Sequence, residues 1–199
     1  MLKKENVVLF DFDGTLSWPD SNLAFARYCM RRSLRPWVYL PLIVFCMLVR
    51  FVYPRGIWWR ENMRRFLTPK MIKKFVLGFV VEHKKNRFGW AAAQVAAEQE
   101  KGNKVLLVSA SADYLIPDLV RDMGFDAVIC SKMYKDKPWK YHFLCWGQNK
   151  VIAVDEWAKK NKVIPHVVRA YSDSKTDMPM MKLADQQVWI DAKTGLRKF

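Results

Sequence analysis

The chain has 199 residues, is 51% hydrophobic and 14% aromatic, and carries 34 Lys and Arg against 19 Asp and Glu, a formal net charge of +15. That length holds one domain, or a domain with a smaller insert, and the apolar share excludes a disordered chain. The four cysteines, Cys29, Cys46, Cys130 and Cys145, form no CxxC pair, so neither a zinc site nor a disulfide framework is expected.

The chain opens on a short apolar run, Val7 to Phe10, of the kind found in central parallel strands. The run after Lys3 and Lys4 is too short for a signal peptide and ends in acid. Asp11 and Asp13 follow at once, then the turn-prone pair Gly14-Thr15. Open α/β sheets place their ligands at such carboxyl strand ends. Residues 21–33 read as a helix, and Trp37 to Val49 is thirteen residues without a charge, broken only by Pro41. A further helix starts at Thr68-Pro69, with Thr68 as its N-cap and Pro69 at the first helical position.

From Ala91 the character changes. A helix beginning AAAQVAA closes at Gly102, and KVLLVSAS is a second buried strand ending in hydroxyl residues. A helix over 113–123 ends at Gly124, AVIC is a third strand, and a helix over 150–161 follows. HVVRAYSDSKTD is a fourth strand ending in acid, and QVWI is a fifth. Alternating strands and helices predict a doubly wound parallel α/β sheet, interrupted by a helical insert at about 18–88. The division expected is therefore 1–17 with 89–199 as the core, and 18–88 as the insert.

In a parallel sheet all carboxyl strand ends lie on one edge. Asp11 and Asp13, Ser109 and Ser111, and Asp173 and Asp177 should therefore converge, with Lys150 at the start of the helix between the last two groups. Four carboxylates in a partly desolvated crevice would repel one another. A divalent cation relieves that conflict, and oxygen-only ligands favour Mg²⁺.

DFDGT at 11–15, a Ser ending the strand 105–109, Lys150, and SDSKTD at 172–177 resemble, in order and spacing, the four motifs of the haloacid dehalogenase (HAD) superfamily. One departure is Ser172, where many members have Gly. The resemblance implies a phosphatase with a HAD core and a C1-type cap formed by the insert. It implies Asp11 as the nucleophile that takes the phosphoryl group, and Asp13 as the acid and base toward the leaving alcohol and the attacking water. Ser109 and Lys150 would steady the phosphoryl charge, joined by groups of Phe12, Gly14, Thr15, Ala110 and Ser111. Magnesium would be held by Asp11, the backbone carbonyl of Asp13, and Asp173, with Asp177 supporting its waters or Lys150.

The charge is unevenly placed: residues 27–87 hold fifteen Lys and Arg against Glu61 and Glu82, a net +13. Arg31, Arg32 and Arg35 precede the apolar run of the insert, and Arg55, Arg60, Arg64 and Arg65 follow it. The insert and SDSKTD resemble subfamily IB phosphatases, and among them the phosphatidylglycerophosphatases. That implies a phospholipid phosphomonoester substrate, an anionic membrane surface as partner, and a place at the bacterial inner membrane with the catalytic part on the cytoplasmic side. The alternatives are a soluble phosphatase of the same subfamily acting on a small metabolite such as phosphoserine, and a nucleic-acid-binding protein or polynucleotide-end phosphatase. No obligatory protein partner and no nucleic acid are expected.

Overall fold

The structure, a computed structural model, describes residues 3–53 and 56–198; Arg55 lies outside them. In chain order the elements are β1 (Lys3–Phe10), α1 (Ser21–Arg32), α2 (Arg35–Val38), α3 (Leu40–Val52), α4 (Ile57–Asn62), α5 (Pro69–His83), α6 (Ala91–Glu100), β2 (Lys104–Ala112), α7 (Ile116–Val120) and β3 (Ala127–Met133). β4 (Tyr141–Phe143), α8 (Gln148–Asn161), β5 (Val163–Ser172), α9 (Met178–Met181) and β6 (Gln186–Trp189) complete it. The six strands form one sheet in the order β4-β3-β2-β1-β5-β6. All pairings are parallel except β3 with β4.

The uninterrupted apolar strands are explained by burial on both faces. Val8, Phe10, Val105 and Leu107 point to one side, where helices α1, α5, α6 and α7 supply Phe25, Phe79, Val95 and Leu119. Val7, Leu9, Leu106 and Val108 point to the other, against Ala153 and Val154 of α8 and Met180 and Met181 of α9. A fully buried side chain of this size contributes about 1.5–3 kcal/mol, so these strands fix the sheet. The chain leaves β1 outward through β2 and β3, then returns to the other flank through β5 and β6. The order therefore reverses beside β1, and the crevice at that reversal lies at the carboxyl ends of β1, β2 and β5.

Thr68 caps α5 as its sequence predicts, accepting a hydrogen bond from Met71 N–H at 3.2 Å. The expected helix over 113–123 is corrected to the five residues of α7. β2 runs on to Ala112, and Pro117 in the first turn lacks the N–H that a longer upstream helix would use. β4 has no sequence signal, because three residues cannot display a period of two.

α3 buries Ile43 and Cys46 and leaves Phe45, Leu48 and Phe51 exposed. Its 13 residues reach about 20 Å at ~1.5 Å per residue, against the ~20 residues a bilayer crossing needs. No helix among the described residues is long and apolar enough to cross a membrane. The expected place at the bacterial inner membrane is corrected accordingly: α3 is held to the body of the protein by its own buried edge.

One buried charge outside the crevice is structural. Glu98, fully buried on α6, accepts from Tyr171 Oη at 3.1 Å and Asn103 Nδ2 at 3.1 Å, and pairs with Arg169. Removing the carboxylate leaves Tyr171 Oη without its acceptor and takes the ion-pair partner of Arg169, which keeps only Gln186. Glu98→Ala is expected to cost about 3 kcal/mol, visible in urea unfolding, whereas a change below 0.5 kcal/mol (roughly the surface-substitution range) would show that water replaces it.

Candidate functional site

Asp11 and Asp13 leave β1 at the reversal point and enter a cavity of about 300 Å³, lined also by Ser111, Lys150, Asp173 and Asp177. Asp11 is fixed at the strand end by its N–H, which donates to Tyr171 O at 3.0 Å. The next turn is tightly tied: Gly14 N–H donates to Ser17 O at 2.8 Å, and the N–H groups of Thr15, Leu16 and Ser17 all donate to Phe12 O. Gly14 and Thr15 have therefore spent their N–H groups inside the turn, and the Phe12 side chain is fully buried in the core. The N–H groups of Phe12 and Asp13 take no partner among the described residues. Those two, at the strand tip, are the amides left for an anion.

Thr15 Oγ1 lies 3.3 Å from Asp11 Oδ2 and 3.3 Å from Asp173 Oδ1, and it also accepts from Asp173 N–H at 3.1 Å. One hydroxyl thus touches both carboxylates, its single proton serving one of them at a time. Gly14 is required here. Its φ is +79°, and a Cβ would sit 2.4 Å from Asp173 Oδ2. Gly14→Ala should cost about 1–3 kcal/mol and lower the melting temperature by roughly 2–12 °C; an unchanged melt would mean the turn relaxes around the methyl.

Lys150, the third residue of α8, is 1% exposed and donates to Asp11 Oδ1 and Asp177 Oδ2, each at 2.7 Å. Asp177 also accepts from Ser172 Oγ at 2.8 Å. The Ser where many HAD members have Gly therefore supports the partner of Lys150. Asp13 turns the other way: its carboxylate accepts from Ser21 N–H at 2.6 Å and Ser21 Oγ at 3.1 Å, and pairs closely with Ser111 Oγ at 2.5 Å. Of the two serines of β2, Ser111 lines the cavity. Ser109 lies behind it, fully buried, accepting from Ser111 N–H at 3.1 Å. Ala110 lines the cavity beside them.

Burial is the largest influence on these acids. It pushes Asp11 up to about 7 against the pull of Lys150, and holds Asp13 and Asp173 above the usual carboxylate range. Burial also disfavours the Lys150 ammonium, but Asp11 and Asp177 outweigh it and raise its pKa, so the lysine stays charged. One cation thus serves Asp11 and Asp177, while Asp173 has no ion-pair partner among the described residues. An uncompensated carboxylate facing Asp11, with only oxygen donors around it, fits a hard divalent cation such as Mg²⁺. Asp13 and Asp177 have their carboxylates committed to Ser21 and Ser111, and to Lys150 and Ser172. Among the described residues no three acid, His or Cys side chains group into a metal site. The side chains suited to the cation are the carboxylates of Asp11 and Asp173.

The sequence reading did not single out Ser21 and Asn22 as site residues. Asn22 Nδ2 donates to Ser111 Oγ at 2.8 Å, and its Oδ1 accepts from Ala112 N–H at 3.3 Å, so α1 locks the end of β2. The run Asp20-Ser21-Asn22 at a helix start was the available signal; Asp20 is its N-cap, accepting from Leu23 N–H at 2.8 Å. Arg60, Tyr141 and Trp146 complete the cavity wall.

A crevice of carboxylates and a buried lysine, set at the carboxyl edge of a parallel sheet, lies where open α/β sheets bind their ligands. The chain belongs to the haloacid dehalogenase-like hydrolase family, whose model matches residues 8–182. It is 31% identical over 115 residues to a probable phosphatase of Mycobacterium tuberculosis, a match that takes in 56% of this chain and only 40% of that protein's length. It is 20% identical over 216 residues to a histidinol-phosphatase of Neisseria meningitidis, covering 98% of this chain and 94% of that protein. Among solved structures, a Bordetella pertussis protein of unknown function matches with TM-score 0.75 and 19% identity over 94% of this chain and 91% of that one. A phosphoserine phosphatase, solved as a phospho-aspartyl intermediate analogue, matches with TM-score 0.65 and 16% identity over 94% and 87%. At those identities the structural likeness concerns the fold.

Proposed function

We propose that the chain is a magnesium-dependent phosphomonoester hydrolase acting on a small phosphorylated metabolite. The observation that carries this is the pair of carboxylates, Asp11 and Asp173, each 3.3 Å from Thr15 Oγ1, with Lys150 paired to the other oxygen of Asp11. Magnesium, when bound by these donors, neutralises phosphoryl charge so that a carboxylate can approach phosphorus. Asp11 attacks phosphorus, and the bond to the leaving alcohol breaks to give an aspartyl-phosphate. Asp13, steadied by Ser21 and Ser111, gives its proton to the departing alkoxide and later takes one from the water that releases phosphate. The free N–H groups of Phe12 and Asp13 bind phosphoryl oxygens. Ser109 acts behind Ser111 by fixing its backbone. Residues 18–88 serve as the cap over this crevice.

The likeness to the histidinol-phosphatase supports a small ester as substrate. The exposed apolar face of α3 is the feature that favours the lipid ester implied by the sequence resemblance. Phosphate release in magnesium buffer from phosphoserine, histidinol phosphate and phosphatidylglycerophosphate separates the readings. Turnover of a small ester, lost on chelation, is expected. Release from the phospholipid alone would replace the small-metabolite reading, and no release from any ester would remove the phosphatase reading.

A further inference from the structure

The insert contributes two arginines whose charge the crevice chemistry does not use. Arg64 is 6% exposed, and its Nη2 has no hydrogen-bond partner among the described residues. Its Nε donates to Arg60 O at 3.2 Å, and its Nη1 reaches Asn22 Oδ1 only at 3.4 Å. Arg60 stands between the rings of Trp59 at 4.7 Å and Trp146 at 5.1 Å, and its Nε is likewise buried without a partner. Neither guanidinium makes an ion pair among the described residues. Aromatic faces compensate part of a buried cation's charge, but they offer no lone pair to an N–H group.

These two side chains line a second cavity of about 290 Å³, which shares Asp20, Asn22, Arg60 and Tyr141 with the crevice wall. The one carboxylate common to both cavities, Asp20, caps α1 through Oδ1; its charge favours both cations, but it makes no hydrogen bond or ion pair with either guanidinium. Two adjacent cations with unpaired donors, opening onto the place where a leaving group must lie, call for an anion.

We infer that Arg60 and Arg64 form a subsite for a second anionic group, a carboxylate or a phosphodiester, carried by the alcohol portion of the phosphomonoester. This rests on the phosphatase reading for its reaction. The subsite lies between the insert, which supplies both arginines, and the core, which supplies Tyr141 and Trp146. Tyr141 N–H donates to Glu61 Oε1 at 2.9 Å, pinning the two parts together beside it. Substrates lacking the second charge leave the arginines unpaired and bind less well.

The test compares kcat and KM for three esters: glycerol 2-phosphate, which lacks a second anion, phosphoserine, which has a carboxylate, and glycerophosphoglycerol phosphate, which has a phosphodiester. The wild type is expected to favour one of the latter two by about 10–100-fold in kcat/KM, expressed in KM. The preferred ester identifies the source of the anion. Arg64→Gln and Arg60→Gln are expected to erase that preference, and Arg64→Lys to retain part of it, since charge persists while the planar fork is lost. A wild type with no preference, or variants that keep it, would overturn the subsite.

A readout independent of turnover is the intrinsic fluorescence of the nine tryptophans, Trp59 and Trp146 among them, during titration with the same esters. A saturable change lost in Arg64→Gln and partly kept in Arg64→Lys supports the subsite even if no ester is hydrolysed, a result that would count against the phosphatase reading alone. A silent titration of the wild type overturns it.

Discussion

Asp11→Asn is expected to release no phosphate from any ester while melting within a few degrees of the wild-type chain. The amide keeps the shape of the carboxylate at the tip of β1, and its backbone N–H still donates to Tyr171 O. Lys150 loses one of its two partners but keeps Asp177. What disappears is the negatively charged oxygen that attacks phosphorus, and losses on removing a nucleophile run to roughly 10⁴-fold or more. The measurement is a single-turnover phosphate assay beside a thermal melt. Retained activity would remove Asp11 as nucleophile, whereas loss of the melt itself would show a structural role for the charge.

Lys150→Met is the second large effect, and it should appear in both stability and activity. The methionine fills the space of the lysine stem but leaves Asp11 and Asp177 buried beside each other without a cation. Breaking a buried ion cluster from one side costs about 3–5 kcal/mol, or a melting temperature lowered by roughly 6–20 °C in a chain of this size. Loss of a phosphoryl-facing cation should cost a further ~10²–10³-fold in rate. Adding Asp177→Asn removes one of the stranded charges, so the double variant should recover part of the stability but none of the rate. A double variant no more stable than Lys150→Met would mean that the loss comes from packing.

The recognisable part of the site was local in sequence. DFDGT places its acids at the end of a strand whose apolar run already marks it as central, and SDSKTD does the same on β5. A parallel sheet then brings those ends together whatever the intervening chain does. Lys150 was legible only through its spacing to the other motifs. As a residue it resembles any solvated helix lysine, and only packing of α8 against the sheet buries it between Asp11 and Asp177.

Other parts were not local. Ser109 and Ser111 are two residues apart at the end of one strand, and the sequence cannot say which one faces the cavity. The irregular pairing between Ser109 and Ala112 turns Ser111 toward Asp13 and leaves Ser109 behind. The apolar run of the insert suggested a membrane segment because composition carries no information about what a helix packs against. Ile43 and Cys46 seat α3 on the protein, and its 13 residues end short of a crossing.

By itself the sequence determined the alternation of strands and helices and the acids at the strand tips, because periodicity, caps and turn residues act over a few neighbouring positions. Only the tertiary structure decided that Asp11 and Asp173 both reach Thr15, that Ser21 and Ser111 hold Asp13, and that Arg64 stands buried and Arg60 half-buried beside the crevice. Those relations join residues up to 158 positions apart, and they exist only once burial of both sheet faces has closed the chain on itself.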